Sequence, residues 1–228
     1  MKLILTGGGN SEHFTQIDKH FISLLGETAK LLFIPLAGEE SEWSNGLERI
    51  QKTFSTIEFD NIEMCLDLSE LDWEYLQKFQ AIYIDGGNTF DLMDRIHHTH
   101  TYELFHRFLH HGGVINGDSA GAIVLGSHLE TAHFGDSGDD NDSDVISYQG
   151  LNFLGKWAIH CHYNENEDQE IIDFVKEFGF PVIALHENSA VAIENTTIQV
   201  IGENSLTIFT DKSVSTVHPG ESYKLNDE

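Results

Sequence analysis

The stretch at 112–126, GGVINGDSAGAIVLG, decides how the chain is read. An apolar run over 113–117 meets a turn of small residues, and Ser119 stands in that turn between Gly117 and Gly121 as G-x-S-x-G. A strand, a sharp turn and a helix start in that order form a nucleophile elbow, which exposes a serine oxygen at the carboxyl edge of a sheet. The backbone N–H of the next residue, Ala120, then faces the place where negative charge develops in acyl transfer. A serine that caps a helix after a glycine-rich turn is written with the same letters. The pentapeptide alone leaves both readings open.

Outward from the elbow, apolar runs bounded by turn residues recur at 2–6, 31–37, 62–66, 81–85, 157–162 and 182–186. Mixed segments that predict helices lie near 13–26, 42–54, 70–78, 88–97, 101–110 and 166–178. This alternation predicts parallel strands joined by crossover helices, an α/β architecture with a mostly parallel sheet. From Ala190 onward, short β-like runs separated by Asn, Gly and Asp predict antiparallel strands at one edge. With 228 residues, 40% of them hydrophobic, and neither linker nor repeat, one domain over 1–228 is expected.

Twelve Lys and Arg against 38 Asp and Glu give a formal net charge of −26, which repels a phosphate backbone and excludes nucleic acid as a partner. The apolar part of MKLILTGGGN is too short for a signal peptide or a membrane span. A soluble cytoplasmic protein without membrane contact is therefore expected, with Cys65 and Cys161 as reduced thiols. The segment HFGDSGDDNDSD (133–144) reads as an exposed, flexible loop, and it lacks the glycine and closing glutamate of a calcium loop. TGGGNSEHF (6–14) and YIDGGNTFDLM (83–93) lack the spacings of a dinucleotide fingerprint and of a P-loop. No metal and no cofactor are expected. Gly87 suits an oxyanion donor that faces the elbow from a nearby strand.

A serine nucleophile needs a base, and the chain offers 14 histidines. In open α/β sheets chemistry gathers beyond the carboxyl ends of the strands. His162 ends WAIHCH (157–162) there, and His160 lies two residues deeper on the same face. His186 and Glu187 end the following strand and are expected beside it. The histidines at 97–100, His106, His110 and His111 fall on or near helices, where solvent exposure is the ordinary case.

Taken together, IPLAG (34–38) with Trp43, DGGNTFDL (85–92), GDSAGA (117–122), IHCHY (159–163) and HEN (186–188) resemble the serine peptidase family of dipeptidase E and cyanophycinase. The order and spacing match from about residue 31 to residue 195. The resemblance implies a three-layer α/β/α fold of the class I glutamine amidotransferase-like type. It also implies Ser119 as nucleophile, His162 as base, Glu187 as orienting acid, and Gly87 with Ala120 as oxyanion donors. Asn88, Asp118 and His160 are expected on the substrate side. Rival carboxylates for the third position are Asp118 and the loop acids Asp136, Asp139 and Asp140. Asp118 is too near the serine along the chain, and the loop acids lack a rigid support.

The implied activity is hydrolysis of short peptides through an acyl-enzyme, and a homodimer is compatible with it. The alternative is a catalytically silent peptide or small-molecule binding protein on the same fold. Two features depart from the dipeptidase E pattern: Asp118 before the nucleophile, and NENEDQEIIDF (164–174) without lysine or arginine. Both argue against a preference for N-terminal aspartate.

Overall fold

The computed structural model describes residues 1–9, 15–26, 29–55 and 61–225. Five parallel strands form its centre: β1 (Lys2–Thr6), β2 (Leu31–Ile34), β3 (Ile62–Met64), β4 (Ala81–Ile84) and β5 (Val114–Asp118). They lie in the order β3-β2-β4-β5-β1. β2 and β4 are buried along their whole length, which is why LLFI and AIYI read as unbroken apolar runs rather than as alternation. Beyond β1 the sheet continues with antiparallel β8 (Ser189–Glu194), β9 (Thr197–Gly202) and β12 (Ser222–Lys224).

Helices cover both faces. α1 (Thr15–Ser23) and α2 (Trp43–Thr53) bring Ile17, Phe21 and Ile50 onto Ile4, Phe33 and Tyr83, with Phe54 just beyond α2. On the other face α4 (Thr89–His97), α5 (Thr101–His110) and α6 (Ala120–Ile123) pack Phe90, Met93, Phe105 and Phe108 against Leu3, Ile82 and Ile115. The three layers are those expected of an α/β/α protein. Among the described residues no helix is long and apolar enough to cross a membrane.

The strands expected at 157–162 and 182–186 are not part of this sheet. β6 (Ala158–His160) and β7 (Val182–Leu185) run parallel to each other, and with antiparallel β10 (Leu206–Phe209) and β11 (Val214–Val217) they build a separate four-stranded sheet. The reason is the edge of β1. One side of β1 pairs with β5 over residues 114–118 and the other with β8 over 190–194, so no ladder edge is left for β6. Only β8, β9 and β12 of the C-terminal strands therefore extend the large sheet.

The helix expected over 70–78 is also shorter. Asp67 caps a 3₁₀ turn at Leu68–Glu70, and Asp72 caps α3 (Trp73–Leu76) by accepting from Tyr75 N at 2.7 Å. Two side-chain caps five residues apart break what periodicity alone reads as one helix. The helix expected over 13–26 is described from Thr15, and positions 13 and 14 lie outside the described residues. α7 (Asp168–Phe178) follows a 3₁₀ turn whose Asn164 and Glu167 form a capping box.

Candidate active site

Ser119 sits at the end of β5 with φ 49° and ψ −111°, a conformation costly for a residue with a side chain. Its N–H donates to Thr6 O at 3.1 Å, and its carbonyl accepts from Ala122 N and Ile123 N, which open α6. The turn is so tight that a Cβ at Gly121 would stand 2.3 Å from Ile84 O. The glycine after the serine is thus needed for helix and strand to touch, the local reason for G-x-S-x-G.

The small sheet delivers the partners. Ser119 Oγ lies 2.8 Å from His162 Nε2, and His162 Nδ1 lies 3.1 Å from Glu187 Oε1. Nδ1–H donates to the carboxylate, which leaves Nε2 free to accept the serine proton. His162 is one-third exposed at its side chain and Glu187 more than half, so the pair is wetter than a buried one. Asp139, one of the rival carboxylates, is tied to Thr89 N, whereas Glu187 is the carboxylate in contact with His162 Nδ1 among the described residues.

What joins the two sheets here is the segment Gly7–Gly9 at the exit of β1. Gly7 N donates to Ser189 O, His162 N donates to Gly7 O at 3.0 Å, and Asn188 N donates to Gly8 O at 2.8 Å. A Cβ on Gly8 would stand 2.2 Å from His162 Cε1 and 2.7 Å from Nε2. The sequence reading missed this role, because a glycine run without fingerprint spacing gives no sign of what will pack on it. Gly8→Ala is expected to push the imidazole off the serine and to lower kcat/KM for peptide hydrolysis by about 10- to 100-fold. Steady-state kinetics check this, and wild-type rates in Gly8→Ala would refute the packing argument.

The cavity in front of Ser119 measures about 330 Å³, and Asp118, Phe134, Asp139, His160 and His162 are among its walls. The segment at 133–144 is no free loop. Asp139 accepts from Thr89 N at 2.8 Å, His133 Nδ1 meets Asp139 O at 2.7 Å, and Asn88 Nδ2 donates to Asp140 O at 2.9 Å. Phe134 is buried, with its ring against His160 and Phe174. The expectation of an exposed loop holds for Asp136, Ser137, Gly138, Asp140, Asp142 and Asp144, while Phe134 is buried and Asp139 satisfies a backbone N–H at the start of α4, so part of the segment is fixed rather than solvated.

Two residues expected on the substrate side use their polar atoms internally. Asn88 Oδ1 caps α4, accepting from Phe90 N and Asp91 N. His160 lines the cavity, but Nδ1 meets Thr131 O at 3.1 Å and Nε2 meets Glu167 Oε2 at 2.8 Å. Both ring nitrogens of His160 are thus already engaged, one by a carbonyl and one by a carboxylate. Burial opposes the charge of Glu167, yet the hydrogen bonds from His160 and Asn164 N hold its carboxyl below the usual range. Cys161 is buried between Thr6 O and Ser119 O, and burial pushes its thiol well above the ordinary value, so it is no thiolate nucleophile.

Beneath the elbow lies a charged cluster. Asp118 Oδ1 accepts from Thr6 Oγ1, while Arg49 Nη2 donates to Asp85 Oδ1 at 2.5 Å. Loss of hydration pushes Asp118 up to about 6, against the Thr6 hydrogen bond and the charges of Arg49 and His162, with Asp85 adding to the rise. Burial likewise pushes Asp18 of α1 up to about 7, Arg49 opposing and Asp118 reinforcing. Carboxyls raised in the fold hold protons that the unfolded chain has released, so stability falls as pH rises from about 4 to about 7. The unfolding midpoint is expected to drop between pH 5 and pH 8. Asp18→Asn is expected to flatten that slope and to gain on the order of 2 kcal/mol at pH 8, about half of the unscreened effect because the side chain is partly exposed to water. Thermal unfolding across this range checks both, and a midpoint that rises with pH would reverse the sign.

An α/β sheet that carries a strained serine elbow facing a histidine is the arrangement of a serine hydrolase. The chain belongs to peptidase family S51, whose family model matches residues 3–201, and it is accordingly a serine-type peptidase. It is 29% identical over 222 residues to a peptidase E of Nostoc sp. (strain PCC 7120 / SAG 25.82 / UTEX 2576), covering 91% of this chain and 88% of that protein. A peptidase E of Shewanella sp. (strain W3-18-1) is 26% identical over 204 residues, 82% of this chain and 80% of its own. The fold is shared with the crystal structure of a peptidase from an acI-B1 Actinobacterium at a TM-score of 0.74 and 20% identity, covering 98% and 96% of the two chains. A putative peptidase E protein from Listeria monocytogenes EGD-e superposes at a TM-score of 0.62 with 21% identity, covering 95% of this chain and 98% of that one.

Proposed function

We propose that this peptidase hydrolyses short peptides through an acyl-enzyme on Ser119, with His162 as general base and acid and Glu187 as its orienting carboxylate. The observation that carries this reading is the unbroken hydrogen-bonded chain from Ser119 Oγ through the His162 ring to Glu187, set at a strained elbow. His162 Nε2 takes the hydroxyl proton as Oγ bonds to the scissile carbonyl carbon, whose π electrons move onto oxygen. Gly87 N–H and Ala120 N–H receive that oxyanion.

Collapse of the tetrahedral adduct expels the amine, which leaves with the proton from Nε2. Water then loses a proton to Nε2 and attacks the ester carbonyl, and as that adduct collapses Nε2 returns the proton to the departing Ser119 Oγ, releasing a free carboxylate. Glu187 stabilises the imidazolium in both halves. The small cavity suits a few residues of substrate rather than a folded protein.

Digestion of a synthetic peptide library, read by mass spectrometry and followed by acid quench, tests the reading. The expected result is cleavage of short peptides and a transient adduct equal in mass to the acyl fragment on the tryptic peptide that holds Ser119. Binding of peptides with no cleavage of any library member would favour the silent binding protein instead.

A further inference from the structure

We infer that the cavity before Ser119 selects peptides that carry a positive charge beside the scissile bond, with Asp118 and Asp139 as the residues that set this preference. The inference rests on Ser119 as the nucleophile and adds to it the chemistry of what is cleaved.

Two carboxylates and no lysine or arginine line the cavity. Its two histidines add no free donor: His162 is engaged by Ser119 and Glu187, and His160 by Thr131 O and Glu167. Each carboxylate keeps one oxygen uncommitted among the described residues. Asp118 spends Oδ1 on Thr6, and Asp139 spends Oδ2 on Thr89 N. The free Oδ2 of Asp118 is beside the nucleophile: a Cβ placed on Gly86 would stand 3.9 Å from it and 3.3 Å from Ser119 Cβ. Asp139 stands on the Gly87–Thr89 side of the same cavity, fixed by the start of α4.

The guanidinium below the elbow answers this charge only in part: Arg49 spends its hydrogen bond on Asp85 at 2.5 Å, and its pull on Asp118 does not offset burial. Carboxylates that have lost water without gaining a counter-ion are costly to keep, and such unmet demand gathers where a ligand will meet it. The raised proton affinity of Asp118 expresses the same demand. An alkylammonium or guanidinium entering the cavity satisfies both free oxygens by charge-assisted hydrogen bonds. An acidic side chain would be a third carboxylate in the same 330 Å³. The formal charge of −26 over the chain adds a long-range pull on cations. The positive group has two sources in a peptide, the protonated α-amine and a lysine or arginine side chain.

The test reads binding to Ser119→Ala protein, which lacks the attacking oxygen, by calorimetry with tetrapeptides. Lysine, Nε-acetyl-lysine and glutamate are exchanged at each position in turn, with the N-terminus free or acetylated. The expected result is at least about tenfold tighter binding for a charged peptide than for its acetylated partner, with glutamate weakest. Loss of preference on acetylating the N-terminus identifies the α-amine as the source; loss on acetylating lysine identifies the side chain. Adding Asp139→Asn or Asp118→Asn is expected to bring the charged-to-neutral ratio towards one. Asp118→Asn keeps the test open should Asp139→Asn release the 133–144 segment. Equal binding of charged and neutral peptides, tighter binding of glutamate, or no binding by any peptide overturns the inference. A wrong nucleophile declares itself separately, as peptides hydrolysed by the Ser119→Ala protein.

Discussion

Ser119→Ala is expected to leave a folded protein with no measurable peptide hydrolysis. The change removes one oxygen, which is hydrogen-bonded to His162, while the backbone bonds that build the elbow, Ser119 N to Thr6 O and Ser119 O from Ala122 N and Ile123 N, are untouched. With its nucleophile gone the site retains only the oxyanion donors and substrate binding, and in triad enzymes the loss at this step reaches about a millionfold. Relief of a φ of 49° is not achieved by alanine either, so stability changes little. The comparison to make is a thermal melt beside a peptide assay. A variant that melts like wild type and still cleaves would mean that Ser119 shapes the turn and another group attacks.

The second large effect is at Glu187. Glu187→Gln is expected to lower kcat by about two orders of magnitude, the mild end of what removal of a triad acid does. The side chain is more than half exposed and His162 one-third, so water shares the task of stabilising the imidazolium. The fall concentrates in kcat rather than KM, because the carboxylate acts through the histidine and not on the substrate. Asp136→Asn, in an exposed part of the 133–144 segment, serves as the control under the same assay. Should that control collapse while Glu187→Gln stays near wild type, the acid lies in the segment and must swing over the site.

How much of this was legible in the sequence differs from element to element for physical reasons. The central strands were readable because burial on both faces forces unbroken apolar runs such as LLFI and AIYI. The elbow was readable because its geometry tolerates few letters. The assignment of β6 and β7 to a second sheet was not, since ladder partners are set by which edge of β1 is taken, a long-range fact that no local pattern records. The internal bonds of Asn88 and His160 were hidden for a related reason. Residue type shows that a side chain can bond a substrate, and only the fold shows that a helix start or Glu167 has already claimed it. The 133–144 segment was legible as loop, but its polarity concealed the contacts of Asp139 and Asp140 to the start of α4.

The Gly7–Gly9 junction changes the meaning of a common experiment. Serine belongs to one sheet and its histidine and glutamate to another, and the stitches between them are main-chain groups: Gly7 O to His162 N, Gly8 O to Asn188 N. Trimming side chains leaves these main-chain bonds in place. Alanine, ordinarily the residue that takes contacts away, is here the one that adds them: its methyl at position 7 would fall 2.2 Å from His186 O, and at position 9 it would fall 2.5 Å from Asn188 Oδ1. An alanine scan through this joint therefore measures crowding where elsewhere it measures loss, and its results cannot be ranked on one scale with those from the rest of the chain.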